Sequence, residues 1–505
     1  MKIAGLDIGT TGCKCSVFDE KGQYLSHAYR DYAVKRDITG HVIDMKDVKE
    51  SVFQVVSEMA LNYPDIGGIG VTSFGETMVL TDERGEPIVE SMLYTDPRGQ
   101  EECQKLVKLL GSRRIAQITG LRPHEMYGIS KLMWLKKHYP EIYKKTCHVF
   151  QVEDWIVFSL SGVAQIDYSL ATRTMAFDIE NMVWSKEILN EAGIDVNLFS
   201  KPVPSGTIAG KVLSDVAKQT GLDINTLVVS VGQDQLAAAI GAGAFDSDVG
   251  VDGAGTVECL TPIYNEKPNI DEMYKGYYAT VPYIIPGKYV AYAFSYTGGA
   301  LTQWCTECMA KKEKELSISE DISVNEYLES EYVNKKRLMG QQGDEPSGLL
   351  VLPHFAGAAT PYMDTGSKGA ILGLTTDTSV AEIYHACLEG VCYEMYLNYK
   401  RLIDTGVHFN RIHATGGGAR SKVWMQMKAD VLNVPFIALS TIDAGTVGCA
   451  MVTGVAIGLF SDLNEASKLM VKKECIYEPR EYQHSLYMNM FDKYKKLYDA
   501  VRFLV

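Results

Sequence analysis

Gly5-Leu-Asp-Ile-Gly-Thr-Thr-Gly-Cys-Lys-Cys-Ser-Val-Phe-Asp19 lies only four residues from the start of the sequence. It reads as an apolar strand ending at Asp7, a turn Gly9-Thr10-Thr11-Gly12, and a second strand from Lys14 to Phe18. Two strands joined by a short glycine-containing turn make a β-hairpin. Glycines let backbone approach a ligand closely, and successive N–H groups in such a turn can cradle an anion. Thr10 and Thr11 add hydroxyl donors, Lys14 adds a positive charge, and Asp7 offers a carboxylate to a metal ion, directly or through water. Taken alone, the stretch is equally well an ordinary polar turn.

The same element recurs in mid-chain. Val249-Gly-Val-Asp252 reads as a strand, Gly253-Ala-Gly-Thr256 as a turn, and Val257–Tyr264 as a return strand. Gly5-Leu-Asp7 followed by Gly9-Thr10 matches Gly250-Val-Asp252 followed by Gly255-Thr256, with one extra turn residue. Two hairpins of one kind, each opening half of the chain, predict a duplicated architecture. A chain of 505 residues is also too long for one hydrophobic core. Two domains are expected, residues 1–245 and 246–505.

The remaining elements fit an α/β class. Asp44 precedes a helical pattern to Leu61, with Val48, Val52, Val55, Val56 and Met59 spaced for one face. Ile66–Thr72 is a short apolar strand, and Leu227–Val231 a buried-type strand that runs into the small-residue helix Leu236–Gly241. Lys311–Gln342 reads as a charged, solvated helical insertion. Val380–Leu402 is a long helix, Arg411–Thr415 a strand, and Asp443–Gly448 opens another small-residue helix. Strands alternate with helices throughout.

Composition, 46% hydrophobic and 22% charged, is that of a globular protein. A net charge of −14 argues against nucleic-acid binding, which needs a basic face, but not against a small anion held at a local site. No apolar run approaches the roughly 18 to 20 residues of a membrane span. No basic-then-apolar leader precedes the first strand, and the 11 cysteines are scattered, so the expected setting is the reducing cytoplasm. Cys305-Thr-Glu-Cys308 lacks companion ligands in the sequence and reads as structural.

Four further elements carry chemistry. Thr415-Gly416-Gly417-Gly418-Ala-Arg-Ser421 joins a strand to a helix; consecutive glycines let backbone lie flat against a ligand beside a helix N-terminus. Asp234, in Gly232-Gln-Asp-Gln235, sits where a buried strand meets a helix. Alone it would be read as an N-cap. With two phosphate-type hairpins and the Gly416 loop, it is read as a base that orients a substrate hydroxyl and takes its proton. Gln233 and Gln235 flank it with amides. Ser73-Phe-Gly-Glu-Thr77 and Tyr94-Thr-Asp96 lie at strand ends, where α/β sites sit. Gly75, Glu76 and Tyr94 are therefore candidates to bind a neutral, polyhydroxylated substrate, with Asp234 and Gln235. Gly255-Thr256, in the second hairpin, completes the set.

In their order and spacing these blocks resemble the FGGY carbohydrate kinases, of which xylulokinases and glycerol kinases are the best-known specificities. The matching stretches include Asp7–Lys14, Lys131-Leu-Met-Trp134, Gly232–Gln235, Gly255-Thr256, Gly298-Gly299, Leu352–Gly357 and Gly416–Gln426. The resemblance implies two actin-like, ribonuclease-H-like domains closing on a cleft. It implies ATP and Mg²⁺, and transfer of the γ-phosphate to a hydroxyl of a sugar, ketose or polyol. It places Asp234 as the base, Thr10, Thr11 and Lys14 at the ATP phosphates, and Asp7 near Mg²⁺. Gly255, Thr256 and Gly299 line the nucleotide with Gln303 close by, and Gly417, Gly418 and Ser421 take the adenosine side. The Met-His-Gly of xylulokinases is absent; Gly75-Glu76-Thr77 is closer to the Arg-Glu-Thr of glycerol kinases, without the Arg. Tyr94 stands where those have Trp, and Met126 where they have Tyr. The acceptor's identity is thus left open, as is a homodimeric assembly. The rival readings are a nucleotide-switched clamp of the actin or Hsp70 type, and a silent sugar sensor.

Overall fold

The computed structural model describes residues 1–38, 40–440 and 443–504. Each of its two large sheets grows around one of the two hairpins. Lys2–Ile8 pairs antiparallel with Gly12–Phe18, placing Asp7 opposite Lys14, and parallel with Ile66–Ser73. Leu227–Gln233 lies parallel on the far side of Ile66–Ser73. In the second half, Val249–Ala254 pairs antiparallel with Glu258–Tyr264 and parallel with Arg411–Thr415, which is parallel to Phe436–Leu439. The sequence hairpin, parallel strand, parallel strand is therefore built twice, giving the two-domain, actin-like α/β architecture.

The strands carry the reason in their side chains. Ile3, Ala4, Leu6, Ile8, Ile69 and Val71 are all buried, as near-continuous apolar runs must be in a sheet covered on both faces. Helix Met45–Asn62 closes one face, burying Val48, Val52, Val55, Val56 and Met59 at the expected helical spacing. Asp44 caps it by accepting a hydrogen bond from the Lys46 N–H.

The other face is covered by a helix from the far end of the chain, Ala444–Ala456. Its fit depends on side chains that are not there. A Cβ on Gly5 would sit 2.3 Å from the Thr446 carbonyl oxygen, and one on Gly448 would sit 1.8 Å from that of Ala237. Helix Ala444–Ala456 thus lies backbone against backbone on strand Lys2–Ile8 and on helix Asp234–Gly241. The two small-residue helices join the halves of the molecule directly behind the strand ends.

The charged stretch Lys311–Gln342 forms helices Lys311–Ser319 and Val324–Leu338. It is docked and not simply solvated: Leu328, Tyr332 and Lys336 are buried, and the Tyr332 ring stacks 3.6 Å from His385 on the long helix Val380–Asp404. Its amphipathic stripe is narrow, so the abundant charges masked it in the sequence. Among the described residues, no helix is long and apolar enough to cross a membrane.

Candidate active site

The carboxyl ends of the parallel strands open on a cleft of about 850 Å³, lined by Asp7, Asp234, Gly417, Arg420 and Asp443 among others. Beside it lies a smaller pocket of about 240 Å³, lined by Thr10, Gly75, Glu76, Tyr94 and Arg173 with several aromatic rings. Among the described residues, Asp234 and Gln235 are the ones that line both cavities.

Asp234 owes its place to an irregular strand end. The pairing of Leu227–Gln233 with Ile66–Ser73 shifts register between Ser230 and Gly232, and Gly232 has φ 131°. Only glycine adopts that backbone readily, and a Cβ there would meet Asp167 Oδ2 at 2.8 Å. The next residue is held from two sides: Gln233 N–H donates to Ser169 Oγ at 3.0 Å, and Tyr292 OH donates to Gln233 Oε1 at 2.7 Å. Asp234 then begins helix Asp234–Gly241 as its first residue, with Gln233 in the cap position, so the N-cap reading of Asp234 does not hold. Its half-buried carboxylate accepts the Gln235 N–H at 2.7 Å. Burial pushes its pKa up to about 7; the negative charge of Glu76 adds to this, while the Gln235 N–H and Arg173 oppose it.

Asp7 lies one residue before the end of strand Lys2–Ile8, in the larger cleft. Its Oδ1 is buried without a hydrogen-bond partner. Burial first, then the charges of Asp234 and Asp443, raise its pKa well above the usual carboxylate range, with Lys14 opposing. The matching residue of the second hairpin is treated differently. Lys428 Nζ donates to Asp252 Oδ2 at 2.6 Å and also to Glu258, so that carboxylate is neutralised within the protein. Asp7 alone of the two keeps an uncommitted oxygen facing other carboxylates, which is the environment a divalent cation relieves. Among the described residues no cluster of three or more His, Cys, Asp or Glu could hold a metal by itself. Mg²⁺ commonly takes one or two carboxylates and completes its shell with waters and substrate phosphates, so Asp7 fits it in that form.

Glu76 is not the free acceptor the sequence implies. It is buried, has φ 67°, and its Oε1 takes both Nε and an Nη of Arg173. Its own N–H donates to Gln151 Oε1 at 3.0 Å. A left-handed backbone at a non-glycine residue is strained and persists only where its surroundings fix it. Tyr277 (φ 58°) and Met363 (φ 48°) line the same pocket and share the feature. Arg173 lies 5.2 Å from the ring centre of Tyr127 and 5.4 Å from that of Tyr292. Sequence reasoning missed Arg173, which reaches Glu76 across 97 positions, and it missed the aromatic wall; no local motif marks either.

The other candidates are distributed as follows. Thr10 faces the smaller pocket, and Thr11 is exposed beside it in the turn. Lys14 Nζ pairs with Asp443 at 2.5 Å; Asp443 was not anticipated as part of the site. The Gly255-Thr256 turn is exposed and packs on the start of helix Gly299–Cys308, where Gly299 N–H donates to the Gly255 carbonyl at 2.8 Å. Gln303 is exposed and donates to Glu307 at 2.8 Å; it lines neither cavity. The glycines of the Gly416 loop have separate tasks. Gly416 has φ 87° and a Cβ there would meet the Ala254 carbonyl at 2.6 Å. A Cβ on Gly418 would strike the Trp424 ring at 2.7 Å, whereas Gly417 has only open space before it. Packing explains Gly416 and Gly418; Gly416 and Gly417 both border the cleft, and of these Gly417 does so with no packing contact to account for it. Ser421 caps helix Lys422–Leu432 and donates to Glu329 Oε1 at 2.8 Å, which ties this loop to the docked insertion.

Fold and site together define a two-lobed actin-like protein with a cleft between its sheets. Residues 2–241 match the N-terminal domain, and residues 254–457 the C-terminal domain, of the FGGY family of carbohydrate kinases. The chain belongs to the FGGY family of carbohydrate kinases and is an enzyme that phosphorylates a sugar-type substrate with ATP. The switch and silent-sensor readings are thereby set aside. Xylulose kinase of Bacillus subtilis (strain 168) is 25% identical over 509 aligned positions, covering 98% of this chain and 96% of that protein. The crystal structure of xylulose kinase from Rhodospirillum rubrum superimposes with a TM-score of 0.88 at 22% identity, covering 100% of this chain and 99% of the other. That of Plasmodium falciparum glycerol kinase with ADP gives 0.85 at 20% identity, covering 98% of both. At these identities the structures speak for the fold alone.

Proposed function

We propose that Asp234 is the general base that accepts the proton of an acceptor hydroxyl as that oxygen attacks the γ-phosphorus of ATP. The observation that carries this reading is the shared position of Asp234 and Gln235 between the two cavities. The larger cleft takes the nucleotide, and the smaller pocket takes the sugar, ketose or polyol. The acceptor hydroxyl then meets the γ-phosphate where they join. A carboxylate with a pKa of about 7 is matched to accept a proton near neutrality. The bond from the acceptor oxygen to phosphorus forms as the bond from phosphorus to the leaving ADP oxygen breaks, and the proton passes to Asp234.

Positioning and charge neutralisation carry most of the rate in such transfers. Thr10, Thr11 and Lys14 meet the phosphates, and Gly417, with Gly418 and Ser421 behind it, borders the adenosine side. Gly255, Thr256, Gly299 and Gln303 complete the nucleotide's surroundings once the lobes close. Asp7 is the residue that would hold Mg²⁺, which would supply charge neutralisation at the transferring phosphoryl group. Glu76, fixed by Arg173, accepts hydrogen bonds from acceptor hydroxyls, and Tyr94 packs against the carbon chain. Closure of the two lobes excludes water, the competing acceptor.

The test is Asp234→Asn in a coupled ADP-release assay against a panel of sugars and polyols, with ATP binding followed by calorimetry. Loss of turnover with ATP affinity kept within about threefold is the expected result. Turnover at a near wild-type rate would remove Asp234 from the base role.

A further inference from the structure

The smaller pocket has two mouths. Asp234 and Gln235 stand at the one shared with the nucleotide cleft. Arg122 and Tyr277 stand at the other, shared with an outer groove that also includes Tyr274 and Glu125. An acceptor whose reacting hydroxyl is at Asp234 therefore presents its far end to Arg122.

Arg122 is built to be read by a ligand. Its guanidinium lies 3.5 Å from the ring centre of Tyr277 and 4.6 Å from that of Tyr274, and its Nη1 donates to the Tyr274 carbonyl at 3.1 Å. Those contacts fix the plane of the guanidinium without supplying a negative charge. Among the described residues Arg122 makes no ion pair, whereas the pocket's other guanidinium, Arg173, is committed to Glu76. The acid nearest in sequence, Glu125, faces His124 at 3.6 Å. Burial, the leading cause, holds His124 below its ordinary pKa, so it adds no competing cation. Tyr277, which forms the stacking surface, is held at φ 58°. A strained residue holding a stacked cation at a pocket mouth is a preorganised arrangement.

We propose that Arg122 is a specificity-determining residue that binds a carboxylate on the acceptor, making the preferred substrate a sugar acid phosphorylated at the end remote from its carboxylate. A stacked guanidinium presents parallel N–H donors that match a carboxylate and gain little from a neutral hydroxymethyl group. The Glu76–Arg173 pair beside it is neutral as a unit and serves the hydroxyls between. The inference rests on the placement of the reacting hydroxyl at Asp234.

The experiment compares kcat/KM for gluconate and shorter aldonates with that for neutral partners of matched length, xylitol and fructose, in the wild type, Arg122→Gln and Asp234→Asn. Binding of gluconate without ATP is measured alongside by calorimetry, and thermal melting checks that each variant is folded. The wild type is expected to favour an aldonate. Arg122→Gln is expected to raise the aldonate KM by about tenfold or more, leaving kcat and the neutral acceptors nearly unchanged. A wild type that prefers a neutral acceptor, or fails to use or bind any aldonate, overturns the proposal. So does an Arg122→Gln variant that weakens both classes equally, as a purely structural role would. If Asp234→Asn is inactive while neutral acceptors are preferred, the base assignment stands and only the sugar-acid inference falls. If Asp234→Asn stays active, the underlying reading fails first.

Discussion

Lys14 Nζ lies 2.5 Å from Asp443 Oδ2, joining the first hairpin to the start of helix Ala444–Ala456 across 429 positions of sequence. Both side chains keep part of their surface in solvent, so the pair is worth less than about 1 kcal/mol to the fold. Its significance is competition. An incoming polyphosphate offers Lys14 more negative charge than Asp443 does, and the two cannot both hold the ammonium closely. Lys14→Met is expected to raise the KM for ATP by about tenfold with the acceptor KM unchanged. Asp443→Asn keeps a capping side chain at the helix start and is expected to shift stability by less than about 1 kcal/mol. Steady-state kinetics with each substrate varied separately, and thermal melting, check both. A rise in acceptor KM for Lys14→Met would take Lys14 away from the nucleotide side.

The pH dependence follows from Asp234. A base must be ionised to accept a proton, and burial has raised this carboxyl to about 7. Activity should therefore be nearly full above that value and fall as pH drops through it, losing about tenfold in kcat/KM per pH unit on the acid side. Glu76 raises the Asp234 pKa and Arg173 lowers it. Glu76→Gln removes the negative neighbour and leaves Arg173 uncompensated, and both changes act downward. The acid limb of the residual activity should move to lower pH. An unmoved limb would show that a different group titrates.

The hairpins, the α/β alternation and the position of Asp234 were legible because each is a local pattern. Apolar strands break at glycine-rich turns, and small residues repeat on a helix. Even the close contact of the two small-residue helices has a local correlate in Gly241 and Gly448. What stayed hidden depends on chain segments that meet only in three dimensions. Glu76 reads as a free carboxylate until Arg173 arrives from the turn after helix Tyr168–Thr172. Lys14 reads as an unpaired phosphate ligand until Asp443 reaches it. The three glycines of the Gly416 loop read as one ligand-binding feature, yet Ala254 and Trp424 account for two of them. Arg122 carried no signal at all, since its meaning comes from its having no ion-pair partner among the described residues while it stacks on Tyr277.

That division between packing and function can be tested within the glycines themselves. A Cβ at Gly448 would fall 1.8 Å from the Ala237 carbonyl oxygen and 2.6 Å from the Gly241 nitrogen. Both neighbours are backbone and cannot turn aside, so helices Asp234–Gly241 and Ala444–Ala456 would have to separate. Gly448→Ala is expected to cost about 1–3 kcal/mol or more, and to lower the melting temperature by about 2–4 °C per kcal/mol. It should also lower kcat, because Asp234 begins one of the displaced helices. At Gly417 an added Cβ meets nothing within 4 Å, and the backbone there has no positive φ. Gly417→Ala should therefore leave the stability within about 0.5 kcal/mol of the wild type while raising the KM for ATP, since the new methyl group projects toward the nucleotide cleft. Melting curves and ATP kinetics on the two variants separate the roles. A destabilised Gly417→Ala with unchanged ATP kinetics would mean that this glycine serves packing and not the nucleotide.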